Sequence, residues 1–305
     1  MSLYLKYRPA NLSEVRGNST VVDTLEGMLA SRHTCPHSFL LHGPTGCGKT
    51  TIGRIIADKL GSKGFDFREI NSADFRGIDT IRDLIKSSQF MAMESESIVW
   101  LVDEVHKLTN DAQNALLKIL EDTPAHVYFI LCTTDPQKLL PTIKGRCSSF
   151  QLSPLNENQM RGLLKKVVKS EQATLDDLVY DQIIISAKGH PRNALQILEQ
   201  VLNVSEDQRL ITAKKAEAET VQSIELCRAL INKKGWREIS TILSGLKDQE
   251  AESIRRVVLG YCQSILLSGK DEPLCGLIME EFMNPFYDSG FPQLTYACYS
   301  IIKNR

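Results

Sequence analysis

The chain has 305 residues, 42% hydrophobic and 24% charged, and its 36 Lys and Arg against 37 Asp and Glu leave a formal charge of −1. That length implies two or three domains, and so even a balance excludes a polyanion-binding surface over the whole chain while leaving room for local basic patches. No apolar run approaches the roughly 20 residues of a membrane helix, the start "MSLYLKYRPANL" lacks a signal-type apolar core, and the eight cysteines form no C-x-x-C pair, so a cytoplasmic protein (nuclear in a eukaryote) without zinc or disulfide framework is expected.

The first strand is "SFLLHG", and it runs into "LHGPTGCGKTT". Gly43, Pro44, Thr45, Gly46, Cys47, Gly48, Lys49 and Thr50 satisfy G-x-x-x-x-G-K-[ST] between a strand and the helix "TIGRIIADKL", which Thr51 opens. In that context the glycines let backbone N–H groups close round nucleotide phosphates, and the helix N-terminus adds positive partial charge. Lys49 would neutralise the outer phosphates and the Thr50 hydroxyl would hold Mg²⁺. Cys47 contributes its backbone, with no thiol chemistry expected.

Next come the strand "FDFREIN" and the helix "IDTIRDLIKSSQ", which places Arg82 and Lys86 four apart on one face. "SSQFMAMESES" then sets Gln89, Phe90, Met91 and Met93 before an acidic loop, a cluster suited to a partner's apolar groove or to the core. "SIVWLVDEVHKL" is an apolar strand ending in Asp103 and Glu104, about fifty residues past the phosphate loop. Asp103 would steady Mg²⁺ and Glu104 would act as general base on the attacking water, so ATP is expected to be turned over. His106 reads as a surface or helix-capping histidine.

The helix "DAQNALLKILED" leads to the strand "VYFILCTT", where Thr134, or else Thr133, offers a hydroxyl to the attacking water or the γ-phosphate. Arg146 precedes the last strand, "SSFQLSPL". Strand and helix alternate throughout, so a parallel sheet flanked by helices is expected over residues 1–154. Three short helices follow over 155–204, broken at Gly189-His190-Pro191. The polar stretch "VSEDQRLITAKKAEAE" reads as a connection into an all-helical region, 205–305 in all. There Trp236, Ile239, Ile242 and Leu246 recur at helical spacing, as do Ile254, Val257, Tyr261 and Ile265.

In order, "LYLKYRPANLSEVRGNSTVVDTLEGML", the phosphate loop, "NSADFRGIDTIRDL", "VDEVHKLTNDAQNALLKILED", "TTDPQKLLPTIKGRC" and "GHPRNALQILEQ" resemble sliding-clamp loader ATPases of the AAA+ class. These are similar to bacterial DNA polymerase III gamma/tau and to the small subunits of replication factor C. The motifs span residues 2 to about 200; the remainder matches as a helical region of suitable length. The resemblance implies an α/β ATP-binding domain, a helical lid and an all-α collar, assembled with other subunits into a five-membered spiral around primer–template DNA and against a sliding clamp. It makes Arg146 a finger to the neighbour's ATP, although Gly145-Arg146-Cys147 stands where the family has Ser-Arg-Cys. It makes Arg192 a lid arginine on the γ-phosphate of its own subunit. Tyr7, Arg8 and Pro9, with Val15 and Arg16, would flank adenine. Arg76, Arg82, Lys86 and Lys118 would touch DNA, and Gln89, Phe90, Met91 and Met93 the clamp. The four-cysteine zinc module of gamma/tau has no counterpart after the phosphate-loop helix, so ATP and Mg²⁺ are the expected cofactors, without zinc. Two other readings are an AAA+ branch-migration or helicase motor, whose family adds a winged-helix domain, and a nonhydrolysing loader scaffold.

Overall fold

The computed structural model describes every residue except 32–34, 73–76, 248, 270–271, 287–288 and 305, and only the backbone of 215–221. The chain divides into two units, Met1–Ser205 and Glu206–Arg305.

The first unit is built on five strands, β1 (Ser38–His42), β2 (Phe67–Asn71), β3 (Ile98–Asp103), β4 (Val127–Thr133) and β5 (Ser148–Gln151). They form one sheet in the order β2-β3-β4-β1-β5, and every neighbouring pair is parallel. The expected parallel sheet is therefore present. Its inner strands bury both faces, which is why they read as continuous apolar runs rather than as alternating ones. Successive residues still part company: Phe39, Leu41, Leu101 and Ile130 pack in one core with Leu25, Ile52 and Ile56, whereas Leu40, Trp100, Phe129 and Leu131 pack in another with Ile81, Leu84 and Leu116. The helices carrying those partners are α2 (Ser19–Leu29) and α3 (Lys49–Lys59) on one side, and α4 (Ile78–Ser87) and α5 (Asn110–Glu121) on the other. Helix α1 (Leu3–Lys6) precedes them, and α6 (Pro141–Gly145) leads into β5. Gly53 lets α3 lie directly on the sheet, since a Cβ there would sit 2.3 Å from Leu101 Cδ1.

Three helices complete this unit, α7 (Glu157–Ser170), α8 (Asp177–Ala187) and α9 (Pro191–Leu202). Helix α7 starts with a reciprocal cap: Gln159 N–H donates to Asn156 Oδ1 at 2.9 Å and Asn156 N–H to Gln159 Oε1 at 3.1 Å. Pro191 occupies the first turn of α9, where its missing N–H costs nothing. At the N-terminus, Lys6 Nζ donates to Glu171 Oε1 at 2.7 Å and the Tyr7 hydroxyl bonds the same carboxylate, tying the start of the chain to the end of α7.

The second unit corrects one expectation. The polar stretch read as a connection is the first half of a 26-residue helix, α10 (Glu206–Ile231). It has no Gly or Pro, it is rich in Ala, Glu, Lys and Gln, and Glu206 and Asp207 complement the dipole of its first turn, so backbone propensity favours helix where apolar periodicity is silent. Helices α11 (Trp236–Gly245), α12 (Ala251–Leu267), α13 (Pro273–Glu281) and α14 (Gly290–Asn304) share a core with its C-terminal half. On α12 the buried stripe is Ile254, Val258 and Cys262, one residue round from the expected Val257 and Tyr261. Small Cys262 fits against Cys227, Sγ to Sγ 3.4 Å, while the Tyr261 hydroxyl stays near the surface and accepts from Arg228 Nε at 3.0 Å.

Glu252 is the buried charge of this unit. Its carboxylate takes two bonds from Arg255 at 2.7 Å each, one from Arg256 at 3.2 Å and one from Phe286 N–H at 2.9 Å. The Arg255 fork outweighs burial and, with Phe286 N–H, holds Glu252 down at about 2. A depressed carboxylate stabilises the fold above its unfolded pKa and stops doing so as pH falls through its folded one. The second unit should therefore lose stability as pH falls from about 4.3 towards 2. Glu252→Ala removes the carboxylate from Arg255 and from Phe286 N–H, leaving Arg255 only the Phe282 and Met283 carbonyls, and should cost about 2–3 kcal/mol at neutral pH. Denaturation followed by Trp236 fluorescence in a Trp100→Phe background reads both effects.

Candidate functional site

The phosphate loop joins β1 to α3. Gly43 stands at φ +146°, and a Cβ there would lie 2.2 Å from the Leu152 carbonyl oxygen, so only glycine fits this entry to the loop. Its N–H donates to the Thr133 carbonyl at 3.2 Å, which anchors the loop to the end of β4. Lys49 folds back and its ammonium donates to the carbonyls of Gly43 (2.9 Å) and Pro44 (2.8 Å). Burial pushes its pKa below the ordinary lysine value. Arg8 is lowered too, by burial first and then by nearby Arg54 and Arg192. A site that crowds and desolvates cations in this way gains most from a polyanion.

The carboxylates stand opposite the loop at the end of β3. The Thr50 hydroxyl donates to Asp103 Oδ2 at 2.6 Å, across 53 residues of sequence. Two hard oxygen donors meeting at the phosphate end of the pocket suit a divalent cation of the Mg²⁺ kind. Asp103 Oδ1 accepts Glu104 N–H at 2.9 Å, and Glu104 takes a left-handed conformation at φ +53° as the strand turns away.

One cavity gathers these groups. It is walled by the loop from Thr45 to Thr51, by Asp103 and Glu104, by Tyr7, Arg8, Pro9, Val15 and Arg16 of the N-terminal segment, and by Arg192 at the start of α9. The Arg192 Cβ lies 3.6 Å from the place a Gly46 side chain would occupy. Sequence patterns missed Leu163, Lys166 and Val167 of α7 and Leu195 of α9, which close the far wall. Their spacing marks helix faces, but not which face meets the nucleotide loop.

His106 departs from expectation. Its side chain is 6% exposed, Nδ1 lies 2.9 Å from Thr133 Oγ1, and Nε2 lies 3.4 Å from Glu104 Oε2. It is a buried ring between the end of β3 and the end of β4, not a surface or capping residue. Thr133 is itself fully buried and Thr134 is partly exposed beside it. Cys47 is buried, with Sγ 3.7 Å from His190 Nδ1, and burial raises its pKa, in keeping with an inert thiol.

A family model described as "DNA polymerase III, delta subunit" matches residues 61–156. The gamma/tau subunit of DNA polymerase III from Mycobacterium bovis is 35% identical over 225 residues, covering 66% of this chain and 39% of that protein. Replication factor C subunit 3 of Blastobotrys adeninivorans is 35% identical over 198 residues, covering 64% and 58%. This chain is a relative of the clamp-loader AAA+ subunits. It spans about two fifths of the length of the gamma/tau proteins it matches. The RuvB Holliday junction branch migration motor of Thermotoga maritima shares the fold, with a TM-score of 0.60 at 19% identity over 74% of this chain and 79% of that one.

The remaining features expected of a clamp-loader relative lie outside the cavity. Arg146 caps α6, where Nη1 donates to the Thr142 carbonyl at 3.0 Å and Nη2 pairs with Glu121. It does not line its own subunit's pocket. Helices α4 and α5 pack side by side and carry exposed Arg82, Lys86 and Lys118. Arg82 pairs with Asp79 at 3.1 Å and Lys86 with Asp83 at 3.8 Å, exposed pairs of the kind that contribute little. Arg76 lies outside the described residues.

Phe90, Met91 and Met93 are 71%, 74% and 81% exposed, which rules out core packing, and Gln89 is exposed with them. Asp66 shapes this segment by accepting the N–H groups of Met93, Glu94 and Ser95 at 2.7–2.9 Å. Burial favours the protonated acid there, but the three N–H bonds outweigh it and keep the carboxylate below its ordinary pKa. Among the described residues no helix is long and apolar enough to cross a membrane.

Proposed function

We propose that this chain is an ATPase subunit of a sliding-clamp loader. It binds ATP with other subunits in a spiral that opens the clamp and grips primer–template DNA, then hydrolyses ATP to release the closed clamp. The observation that carries this reading is the convergence of Lys49, Thr50, Asp103 and Glu104 on one cavity whose other wall is the N-terminal segment and Arg192. The kinship with gamma/tau and replication factor C subunits supplies the direction of its use.

Each group has a physical task. The loop N–H groups and the α3 N-terminus hold phosphate oxygens, and Lys49 exchanges its two carbonyl partners for them. Thr50 and Asp103 would hold Mg²⁺, which would neutralise charge on the phosphates. Glu104 takes the proton of the attacking water. Thr134, at the exposed side of the β4 end, orients that water or the γ-phosphate. Arg192 closes from α9, so residues 155–204 act as a lid on the ATP-binding domain of 1–154. Residues 205–305 form the collar that joins subunits. Arg146, turned away from its own pocket, serves the neighbouring one, so hydrolysis requires assembly. Arg82, Lys86 and Lys118 contact the phosphate backbone, and Gln89, Phe90, Met91 and Met93 dock in the clamp. Contacts of that kind read shape rather than sequence and weaken with salt.

A branch-migration motor shares the fold, but the region 206–305 holds only helices among its described residues and supplies no strands for a β-wing. Intact Lys49 and Glu104 argue against a nonhydrolysing scaffold. Steady-state ATP hydrolysis by the purified chain, over a wide concentration range and with or without primed DNA, tests the reading. A rate per subunit that rises with concentration and again with primed DNA is expected. A rate unmoved by DNA, even with clamp and partner subunits added, would overturn it.

A further inference from the structure

His106 is a buried titratable group that the reaction outlined above does not use. Its hydrogen bonds can be assigned a direction. Nδ1 is hydrogen-bonded to the Thr133 hydroxyl, whereas Nε2 approaches Glu104 Oε2 to 3.4 Å, an ion-pair distance rather than a hydrogen bond; because a carboxylate only accepts, a ring proton facing it sits on Nε2. Burial lowers the pKa of the ring, so at neutral pH it carries one proton and Nδ1 is left as an acceptor. The Thr133 hydroxyl, 2.9 Å away, then donates to Nδ1, and the same oxygen accepts Asp135 N–H at 3.0 Å. Moving the ring proton to Nδ1 would instead turn the Nε2 lone pair towards the carboxylate. The far end of the series is fixed as well, because the Thr133 carbonyl accepts Gly43 N–H at the entry to the phosphate loop.

We propose that His106 is a positioning residue: through the Thr133 hydroxyl its ring ties the Glu104 carboxylate to the end of β4 and holds it facing the nucleotide. Glu104 lines the cavity while standing on a left-handed backbone at the tip of a strand, with its side chain 33% exposed. A partly exposed carboxylate at the tip of a strand gains orientation from a side chain packed against it. His106 fills that place. A base that must be aligned within a fraction of an ångström benefits in the chemical step and not in ATP binding. The arrangement also joins the general base to the strand end that carries Thr134, so the two groups that attend the attacking water share one support.

The inference rests on the ATPase reading, and the experiment separates the two. In the assembled complex with primed DNA, kcat, KM and the nucleotide Kd are measured for wild type, His106→Leu, His106→Gln, Thr133→Val and the double variant His106→Leu/Thr133→Val. His106→Leu and Thr133→Val should each lower kcat about tenfold and leave Kd unchanged. The double variant should be no slower than the slower single, because both break one series. His106→Gln keeps a donor near the position of Nε2 and should recover part of the rate. A thermal melt of each variant excludes loss of fold as the cause. Wild-type kcat in His106→Leu, losses that add in the double variant, or losses matched by a weaker Kd would each overturn the positioning role while leaving the ATPase reading intact. Absence of turnover in the wild-type assembly would overturn both.

Discussion

Glu104→Gln is expected to bind ATP with wild-type affinity and to hydrolyse it about 10²–10⁴-fold more slowly, the range by which a positioned general base accelerates a reaction. The affinity should be preserved because, in the proposed site, Lys49 and the loop amides would hold the phosphates and Thr50 and Asp103 the Mg²⁺ without it. The rate is lost because an amide cannot take a proton from water at neutral pH. Gln is nearly isosteric with Glu and retains a carbonyl that can accept from His106 Nε2, so the local packing should survive. Equilibrium titration with a fluorescent ATP analogue, paired with single-turnover hydrolysis, checks both halves. A variant that still turns over at the wild-type rate would assign the base elsewhere, whereas one that loses binding would make Glu104 a structural support of the loop.

Arg146→Ala is expected to leave ATP binding unchanged and to lower kcat in the assembled complex by about 10³–10⁵-fold, the effect of removing an arginine finger. The role is the one the resemblance to clamp-loader ATPases implies, and the position of the residue is compatible with it. Arg146 caps α6 at the surface and does not line its own subunit's cavity. Its Glu121 partner is itself half exposed, so the guanidinium can leave that pair at small cost. The unassembled chain should show the same low rate with or without the substitution. Normal DNA-stimulated turnover in the variant would sink the trans-acting role. A fall in nucleotide affinity would point instead to a support of the α6–β5 corner.

Much of the nucleotide site was legible in the residue order because its parts are local. The phosphate loop is one contiguous turn whose shape depends on glycines at fixed places, and Asp103 and Glu104 end an apolar strand that announces itself by composition. The parallel sheet was legible for a related reason, since strands buried on both faces must be apolar at successive positions. The polar start of α10 was not. A helix that makes no apolar stripe over its first turns leaves only weak propensity to read, so the stretch resembles a connection.

The exposure of particular side chains was hidden as well. Phe90, Met91 and Met93 fit a core or a surface equally well as letters, and what exposes them is the cap that Asp66 places on the following backbone, 27 to 29 residues away. His106 hides for the converse reason: a histidine next to charged residues looks solvated until β4 is laid beside β3. The sequence by itself determined which chemical groups are present for the proposed binding and hydrolysis of a nucleotide, because those groups lie on short motifs whose local geometry follows from residue type. Only the tertiary structure decided that Thr50 meets Asp103, that His106 joins Glu104 to Thr133, and that α7 and α9 close the pocket. Those pairings depend on the register of parallel strands and the packing of helices on them, which are set by the summed burial of the whole core and not by the residues that come to touch.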